Sequence, residues 1–348
     1  MHAEEMWKTS TGTGVTVAVV DSGIDADLPD LQGQVLEGKN FSPLPGDAHT
    51  DLNGHGTSMA ALIAGTGRRG NTTGSYGLAP GTKVLPLRVG GKNFTEDTMA
   101  MVGALRYAAD SDAKIINISR GSPQESPAES QAIAYALSKG KLIFAAAGNT
   151  GDKGNPVEYP AAEPGVIAMA ALDRNGEVAP LSQHGPQVVL AAPGVGTVAA
   201  CPGSTGVCTG DGTSAASALA SASAALLWSI HPDWTANQVA RVLINTAGAP
   251  QSGEKRNDYV GFGAIRPRVA LQNPGDPGPP DVSPLTPNSP SPKSNSESAA
   301  STDKHATPDN DGPDPKWIAA GVATAAILGA AIVAPALMRR RNRPHPPH

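Results

Sequence analysis

The sequence predicts an α/β fold with an open, mostly parallel central sheet and helices on both of its faces. Continuous apolar, β-branched runs such as residues 15–20 (VTVAVV) are typical of strands that are buried on both sides in a parallel sheet. Helix-like stretches at residues 95–109 and 128–139 alternate with these runs. The same pattern predicts further strands at residues 84–89, 114–119, 142–147 and 166–171, and further helices after His55, at 213–228 and at 235–246.

Polar residues stand at or just after the ends of three predicted strands. They are Asp21, Ser119 and Asn149. The carboxyl ends of parallel strands meet at one edge of a sheet, and ligands gather there in open α/β folds. We therefore expect these three residues to lie close together.

Two further polar residues, His55 and Ser214, begin predicted helices. Thr57 and Thr213 are expected to cap these helices, since threonine is favoured at helix starts. The positive end of the dipole of the second helix would favour negative charge near Ser214.

Three short segments carry the residues of a nucleophilic catalytic system. In chain order they are residues 17–25 (VAVVDSGID), 53–59 (NGHGTSM) and 210–216 (GDGTSAA), which offer Asp21, His55 and Ser214. A serine hydroxyl is a poor nucleophile at neutral pH unless an imidazole takes its proton and a buried carboxylate orients that imidazole. Each segment therefore supplies one of these three roles.

These segments resemble the subtilases, the subtilisin-like serine protease family, whose triad runs Asp, His, Ser along the chain. Residues 144–149 (FAAAGN) resemble the family segment whose asparagine amide binds the oxyanion, and this role falls on Asn149. The resemblance covers roughly residues 7–270 and rests on four motifs in the family order. It implies a subtilisin-like fold and hydrolysis of peptide bonds through an acyl-enzyme.

The resemblance also assigns a specificity pocket for the substrate residue before the cut. Its two walls would be residues 119–121 and 146–148, partly as extended edges that pair with the substrate backbone. Glu158 falls at the base of this pocket, where an inward carboxylate would favour a basic substrate residue; the alternative is a surface glutamate. The expected substrate-binding residues are Ser119, Arg120, Gly121, Ala146, Ala147, Gly148 and Glu158.

The two cysteines, Cys201 and Cys208, are spaced to close a small disulfide loop, and the alternative is two buried, inert thiols. A disulfide fits the extracytoplasmic location that the rest of the chain indicates. Asp30 and Asn71 match two positions of a subtilase calcium site. Calcium takes six or more ligands and this match supplies two, so we predict that the protein holds no cofactor. A bound calcium ion is the alternative.

The composition limits the classes of partner. The formal net charge is -5 over 348 residues, so the sequence indicates no large basic surface and no nucleic-acid partner. The expected substrate is a polypeptide.

The sequence divides into four segments. Residues 1–272 form the predicted peptidase domain, and residues 273–316 form a linker rich in Pro and Ser that is expected to be disordered. An uncharged stretch that begins at Ile318 and ends at Met338 is long enough to cross the hydrocarbon layer, and residues 317–338 are the predicted transmembrane helix. The arginine-rich residues 339–348 predict a cytoplasmic tail, which places the peptidase domain outside the cell membrane. The alternative for the apolar stretch is a buried core helix.

Residues 1–14 show neither an apolar core nor a cleavage site, so they are not expected to be a signal peptide, and no propeptide is evident. The order of peptidase domain, linker, membrane helix and basic tail is similar to that of the mycosins, the membrane-anchored subtilases of bacterial type VII secretion. This likeness implies a type VII secretion membrane complex as a partner. The alternative function is a structural subunit whose protease domain mainly stabilises such a complex.

Overall fold

The computed structural model describes residues 2–70, 74–202 and 206–285, which belong to one compact unit. Within this range the central sheet consists of β1 Thr16–Asp21, β2 Lys39–Asn40, β3 Lys83–Arg88, β4 Ile115–Ile118, β5 Leu142–Ala146, β6 Ile167–Leu172 and β7 Val188–Pro193. The strands are all parallel and follow the order β2-β3-β1-β4-β5-β6-β7. This confirms the predicted fold class for the described residues. The predicted transmembrane helix and basic tail lie outside them.

Alternate side chains of β1 face opposite layers of the domain. Val17 and Val19 pack into one core together with helices α2 His55–Ala64 and α5 Thr213–Ile230, whereas Ala18 and Val20 pack into the other with α3 Phe94–Asp110 and α4 Pro127–Ser138. Burial on both faces explains why this strand is a continuous apolar run. The remaining helices are α1 Ala3–Trp7, α6 Ala236–Asn245 and α7 Pro267–Gln272.

Helix α5 passes through the core and is buried from Thr213 to Trp228. Its alanine and serine side chains are small, which lets the helix lie close to strands β4, β5 and β6. Among the described residues it is the one helix long and apolar enough to cross a membrane, but 83% of it is buried inside this domain.

The structure adds elements that the sequence pattern did not predict. Strand β7 lies at the edge of the sheet, and β8 Thr197–Ala200 pairs antiparallel with β9 Val207–Gly210 in a separate hairpin. Cys201 and Cys208 form a disulfide across this hairpin, with Cα atoms 5.9 Å apart. The predicted disulfide is therefore present.

The described part of the Pro-rich linker lies along α6. The Arg241 guanidinium donates to the carbonyl oxygens of Pro277 and Pro279, and Asn237 Nδ2 donates to the Pro280 carbonyl at 2.9 Å. This described part of the linker is thus held against α6 by hydrogen bonds from side chains of the helix to its backbone carbonyls.

Candidate active site

Asp21 and His55 are brought together by the end of β1 and the start of α2. His55 Nδ1 lies 2.8 Å from Asp21 Oδ1 and 3.0 Å from Oδ2. The Asp21 side chain is 1% exposed and the His55 side chain is 39% exposed. A carboxylate can only accept, so Nδ1 carries the hydrogen and Nε2 is left as an acceptor toward solvent or substrate.

The charge of Asp21 controls the basicity of this imidazole. The nearby carboxylate raises the pKa of His55 above its ordinary 6.5, because it stabilises the protonated ring, while burial opposes this effect. The pair therefore makes His55 a stronger base than a free histidine, and a raised pKa is one signature of a general base that works near neutral pH.

Asp51 fixes the start of α2, a role that the sequence analysis missed. Its Oδ1 accepts from Ser22 Oγ and from the Gly54 N–H, both at 2.9 Å. Its Oδ2 accepts from the backbone N–H and the hydroxyl of Thr57, at 2.9 and 2.6 Å. Thr57 was expected to cap the helix and does not: Asp51 does so, since a carboxylate is the stronger acceptor at the positive helix end. The sequence signal for this role was an acidic residue, Asp51, two positions before the NGHGTS motif.

Ser214 lies in the first turn of α5, beside the end of β4. Its Oγ donates to the Ser119 carbonyl at 3.2 Å, and Ser119 Oγ donates in return to the Ser214 carbonyl at 3.2 Å. Ser214, His55 and Asn149 line one cavity of about 600 Å³. Within the described part of the chain the Ser214 hydroxyl is bonded to the Ser119 carbonyl and not to His55, so it has to turn before His55 can take its proton.

Asn149 follows β5 and faces the start of α5. Its Oδ1 accepts from the Thr213 N–H at 2.8 Å and from Thr213 Oγ1 at 3.0 Å. Asn149 therefore caps α5, and the expectation that Thr213 does so is wrong. Because the amide oxygen is used in this way, the Nδ2 group is turned to the other side and keeps its hydrogens for a ligand.

A buried asparagine, also missed from the sequence, joins β4 to α5. Asn117 Oδ1 accepts from Ser217 Oγ at 2.8 Å and from Ser221 Oγ at 3.1 Å, and its Nδ2 donates to Ser119 Oγ at 3.0 Å. The signal was an amide in the middle of the apolar strand KIINIS. A buried amide needs partners, and these partners set the position of the helix that carries Ser214.

The predicted pocket walls follow the neighbouring strands β4 and β5, as expected for residues 119–121 and 146–148. Arg120 points to α3, where its Nη2 lies 3.2 Å from Asp97 Oδ1. Glu158 is half-buried, and a Cβ added at Gly121 would lie 2.6 Å from its Oε2. The carboxylate thus lies against the wall segment that contains Gly121.

Asp30, one of the two candidate calcium ligands, binds backbone N–H groups. Its Oδ1 accepts from the Arg69 N–H at 2.9 Å and its Oδ2 from the Ser75 N–H at 3.1 Å, so both oxygens hold a turn. Asn71 lies outside the described residues. Within the described ranges, no group of three or more His, Cys, Asp or Glu side chains is placed to bind a metal ion. The absence of a cofactor stays a prediction, with calcium as its alternative.

Comparison with known proteins identifies the family. Residues 12–263 match the model of the subtilase family, peptidase S8. Subtilisin DY from Bacillus licheniformis is 35% identical over 264 residues, which is 75% of this chain and 92% of that protein.

Solved structures of secretion-associated proteases are also similar. MycP1 from Mycobacterium smegmatis superposes with a TM-score of 0.68 at 29% identity, covering 80% of this chain and 85% of that one. The MycP3 protease from the type VII (ESX-3) secretion system gives a TM-score of 0.65 at 30% identity, covering 77% and 85%. With the family model matched over most of the folded unit, the chain belongs to the subtilase family of subtilisin-like serine proteases.

Proposed function

We propose that this protein is a serine endopeptidase in which Asp21, His55 and Ser214 form the catalytic triad, and that it acts as a mycosin-like, membrane-anchored component of type VII secretion. One observation carries the catalytic part. The buried Asp21 carboxylate holds His55 by Nδ1 at the rim of the cavity that Ser214 and Asn149 also line.

Each step of the proposed reaction falls to one of these groups. His55 Nε2 takes the proton of Ser214 Oγ, which attacks the scissile carbonyl, and the imidazolium that forms is stabilised by Asp21. The imidazolium then gives the proton to the leaving amine, and a water molecule repeats the sequence on the acyl-enzyme. The tetrahedral oxyanion accepts from Asn149 Nδ2 and from the Ser214 N–H, which lies in the first helical turn where no intrahelical carbonyl reaches it.

Labelling with a fluorophosphonate probe tests the proposal directly. The probe forms a covalent bond only with a serine that a base activates, so wild-type protein is expected to label and the Ser214→Ala variant is not. A well-folded wild-type protein that fails to label would favour the alternative, a structural subunit that stabilises a secretion assembly.

Asn149→Ala is expected to lower kcat for amide hydrolysis by about 100- to 1,000-fold while KM changes little, because the amide serves the oxyanion more than the ground state. This magnitude comes from the oxyanion asparagine of subtilisin itself. The Asn175→Ala variant, in an exposed turn, is the matched control and should keep full activity. A loss in Asn149→Ala of less than about fivefold would argue against the assigned role.

The membrane anchor is supported by the sequence. The stretch from Ile318 to Met338 carries no charge, and Arg339, Arg340 and Arg341 follow it at once. The positive-inside rule then places the protease domain outside the cell membrane as a single-pass protein with a cytoplasmic C-terminus. The likeness to MycP1 and MycP3 supports a type VII secretion assembly as the partner.

Protease shaving of intact cells is expected to release the folded domain by cutting within residues 286–316, C-terminal to the segment that lies along α6. Mass spectrometry of the released fragment locates the cut. A domain that stays protected in cells whose envelope admits the protease would contradict the proposed topology.

A further inference from the structure

The hairpin of β8 and β9 forms one side of the cavity that His55 and Ser214 line, and α2 forms another. Both residues of the disulfide, Cys201 and Cys208, belong to this lining. They are also the two cysteines of the whole chain. The disulfide is therefore part of the candidate active site, and any thiol chemistry of the protein takes place there.

Strand β9 lies between two parts of the proposed triad. On one side Cys208 Sγ lies 3.5 Å from Ser58 Oγ, and Ser58 follows His55 by three positions on the same face of α2. On the other side β9 ends at Gly210, four residues before Ser214. A shift of β9 therefore changes the position of His55 relative to Ser214.

The other end of the disulfide-closed loop also touches α2. Pro202 follows Cys201, and a Cβ added at Gly54 would lie 3.1 Å from Pro202 Cδ. Gly54 is the N-cap of α2, immediately before His55. The two ends of the loop thus contact the chain on either side of His55.

The two strands of the hairpin are held unequally. Strand β8 packs into the core through Ala199 and Ala200, whereas residues 208–210 of β9 are exposed. Each strand is four residues long, and two such short strands have little stability of their own. The disulfide therefore ties the exposed strand to the buried one.

The disulfide is open to attack from one side, since Cys208 is exposed and Cys201 is buried. A thiolate of an external dithiol attacks Cys208 Sγ, the S–S bond breaks, and Cys201 leaves as a thiolate. The second thiol group of the reductant then displaces Cys208 as a thiolate and closes the reductant's own disulfide. Two electrons pass from the dithiol to the protein, and its two protons end on the cysteine sulfurs.

We propose that the Cys201–Cys208 disulfide positions the active site and makes its activity sensitive to redox conditions. In the oxidised protein it holds β9 against β8 and α2, which fixes His55 relative to Ser214. Reduction by a dithiol loosens β9 and lowers turnover reversibly. This inference rests on the proposed peptidase activity and gives the same site a means of regulation.

The test uses a peptide p-nitroanilide, because this substrate has no residue after the cut and so makes few contacts with the hairpin. After treatment with dithiothreitol, kcat is expected to fall by about 10- to 100-fold, the loss that a small misplacement of catalytic groups causes, while KM stays within about threefold. Alkylation and mass spectrometry count the free thiols, and circular dichroism should show the same fold in both states. Reoxidation should restore kcat.

The matched control is the double variant Cys201→Ser, Cys208→Ser. It should have the kcat of the reduced wild-type protein and should not respond to dithiothreitol. A response in this variant would place the effect outside the disulfide and overturn the proposal. If the variant does not fold, the reduced wild-type protein decides alone, because its thiols and its fold are measured directly.

Three results for wild-type protein would contradict the inference. They are an unchanged kcat with both thiols free, a loss of kcat that reoxidation does not restore, and a loss of circular dichroism together with activity, which would show a role in folding alone.

Failure of the proposed function looks different. A folded, oxidised protein that neither labels with the fluorophosphonate nor cleaves the peptide overturns that function, and the inference falls with it. Labelling at equal rates before and after complete reduction overturns the inference alone.

Discussion

Ser214→Ala is expected to fold as the wild-type protein does and to lose on the order of 10⁶-fold in kcat for amide hydrolysis, a magnitude known from subtilisin. The change removes the nucleophile and one weak hydrogen bond to the Ser119 carbonyl, and leaves the buried Asn117 network that positions α5 in place. Turnover of a chromogenic peptide measures the loss, and circular dichroism confirms the fold.

A serine elsewhere on the same helix provides the control. Ser223 is buried, and its hydroxyl bonds to the Leu219 carbonyl within α5. Ser223→Ala should therefore keep kcat within a few-fold of wild type, as expected for a change that touches no reacting group. Comparable turnover by Ser214→Ala and wild type would eliminate Ser214 as the nucleophile.

Asp21→Asn is expected to lower kcat by about 10⁴-fold, the size of loss known for the equivalent change in a serine protease triad. An asparagine amide can donate to Nδ1, which stabilises the tautomer whose Nε2 carries the hydrogen and cannot act as a base. Asp25→Asn is the control, since the Asp25 carboxylate accepts from the nearby Asp27 N–H in an exposed turn and bonds to none of the residues of the proposed triad.

The pH profile gives an independent measure of the same pair. The carboxylate raises the pKa of His55, so the inactive, protonated imidazole persists to a higher pH than in a free histidine. Wild-type kcat/KM should thus rise with pH and level off above a pKa greater than 6.5. In Asp21→Asn the pKa of His55 is expected to be lower, because the stabilising charge is gone. The residual kcat/KM of this variant should therefore reach its plateau at a lower pH than that of the wild-type protein. An identical inflection in both proteins would show that His55 is not the group that titrates.

Much of the fold could be predicted from local pattern. Strands buried on both faces demand continuous apolar runs, and β1, β3, β4, β5 and β6 each have one. The pattern did not predict β7 or the hairpin of β8 and β9. The two hairpin strands are four residues long and partly exposed, so they produce no apolar run that stands out. Strand β7 carries the apolar run VVLAA at residues 188–192, so its signal was present in the sequence and was missed.

The sequence predicted those site residues that belong to contiguous motifs. By itself the sequence determined the family, and with it which side chains are the candidates for base, nucleophile and oxyanion donor: His55, Ser214 and Asn149 each stand in a segment whose neighbours are also characteristic.

Only the tertiary structure decided which partner each polar group meets. Asp51, not Thr57, caps α2, and Asn149, not Thr213, caps α5. The side chains of Gln183 and Glu158 meet beside Gly148. These contacts join parts of the chain that are far apart in sequence. Propensity and periodicity describe only neighbours along the chain, whereas a buried donor or acceptor bonds to whichever group the packing of strands and helices places beside it.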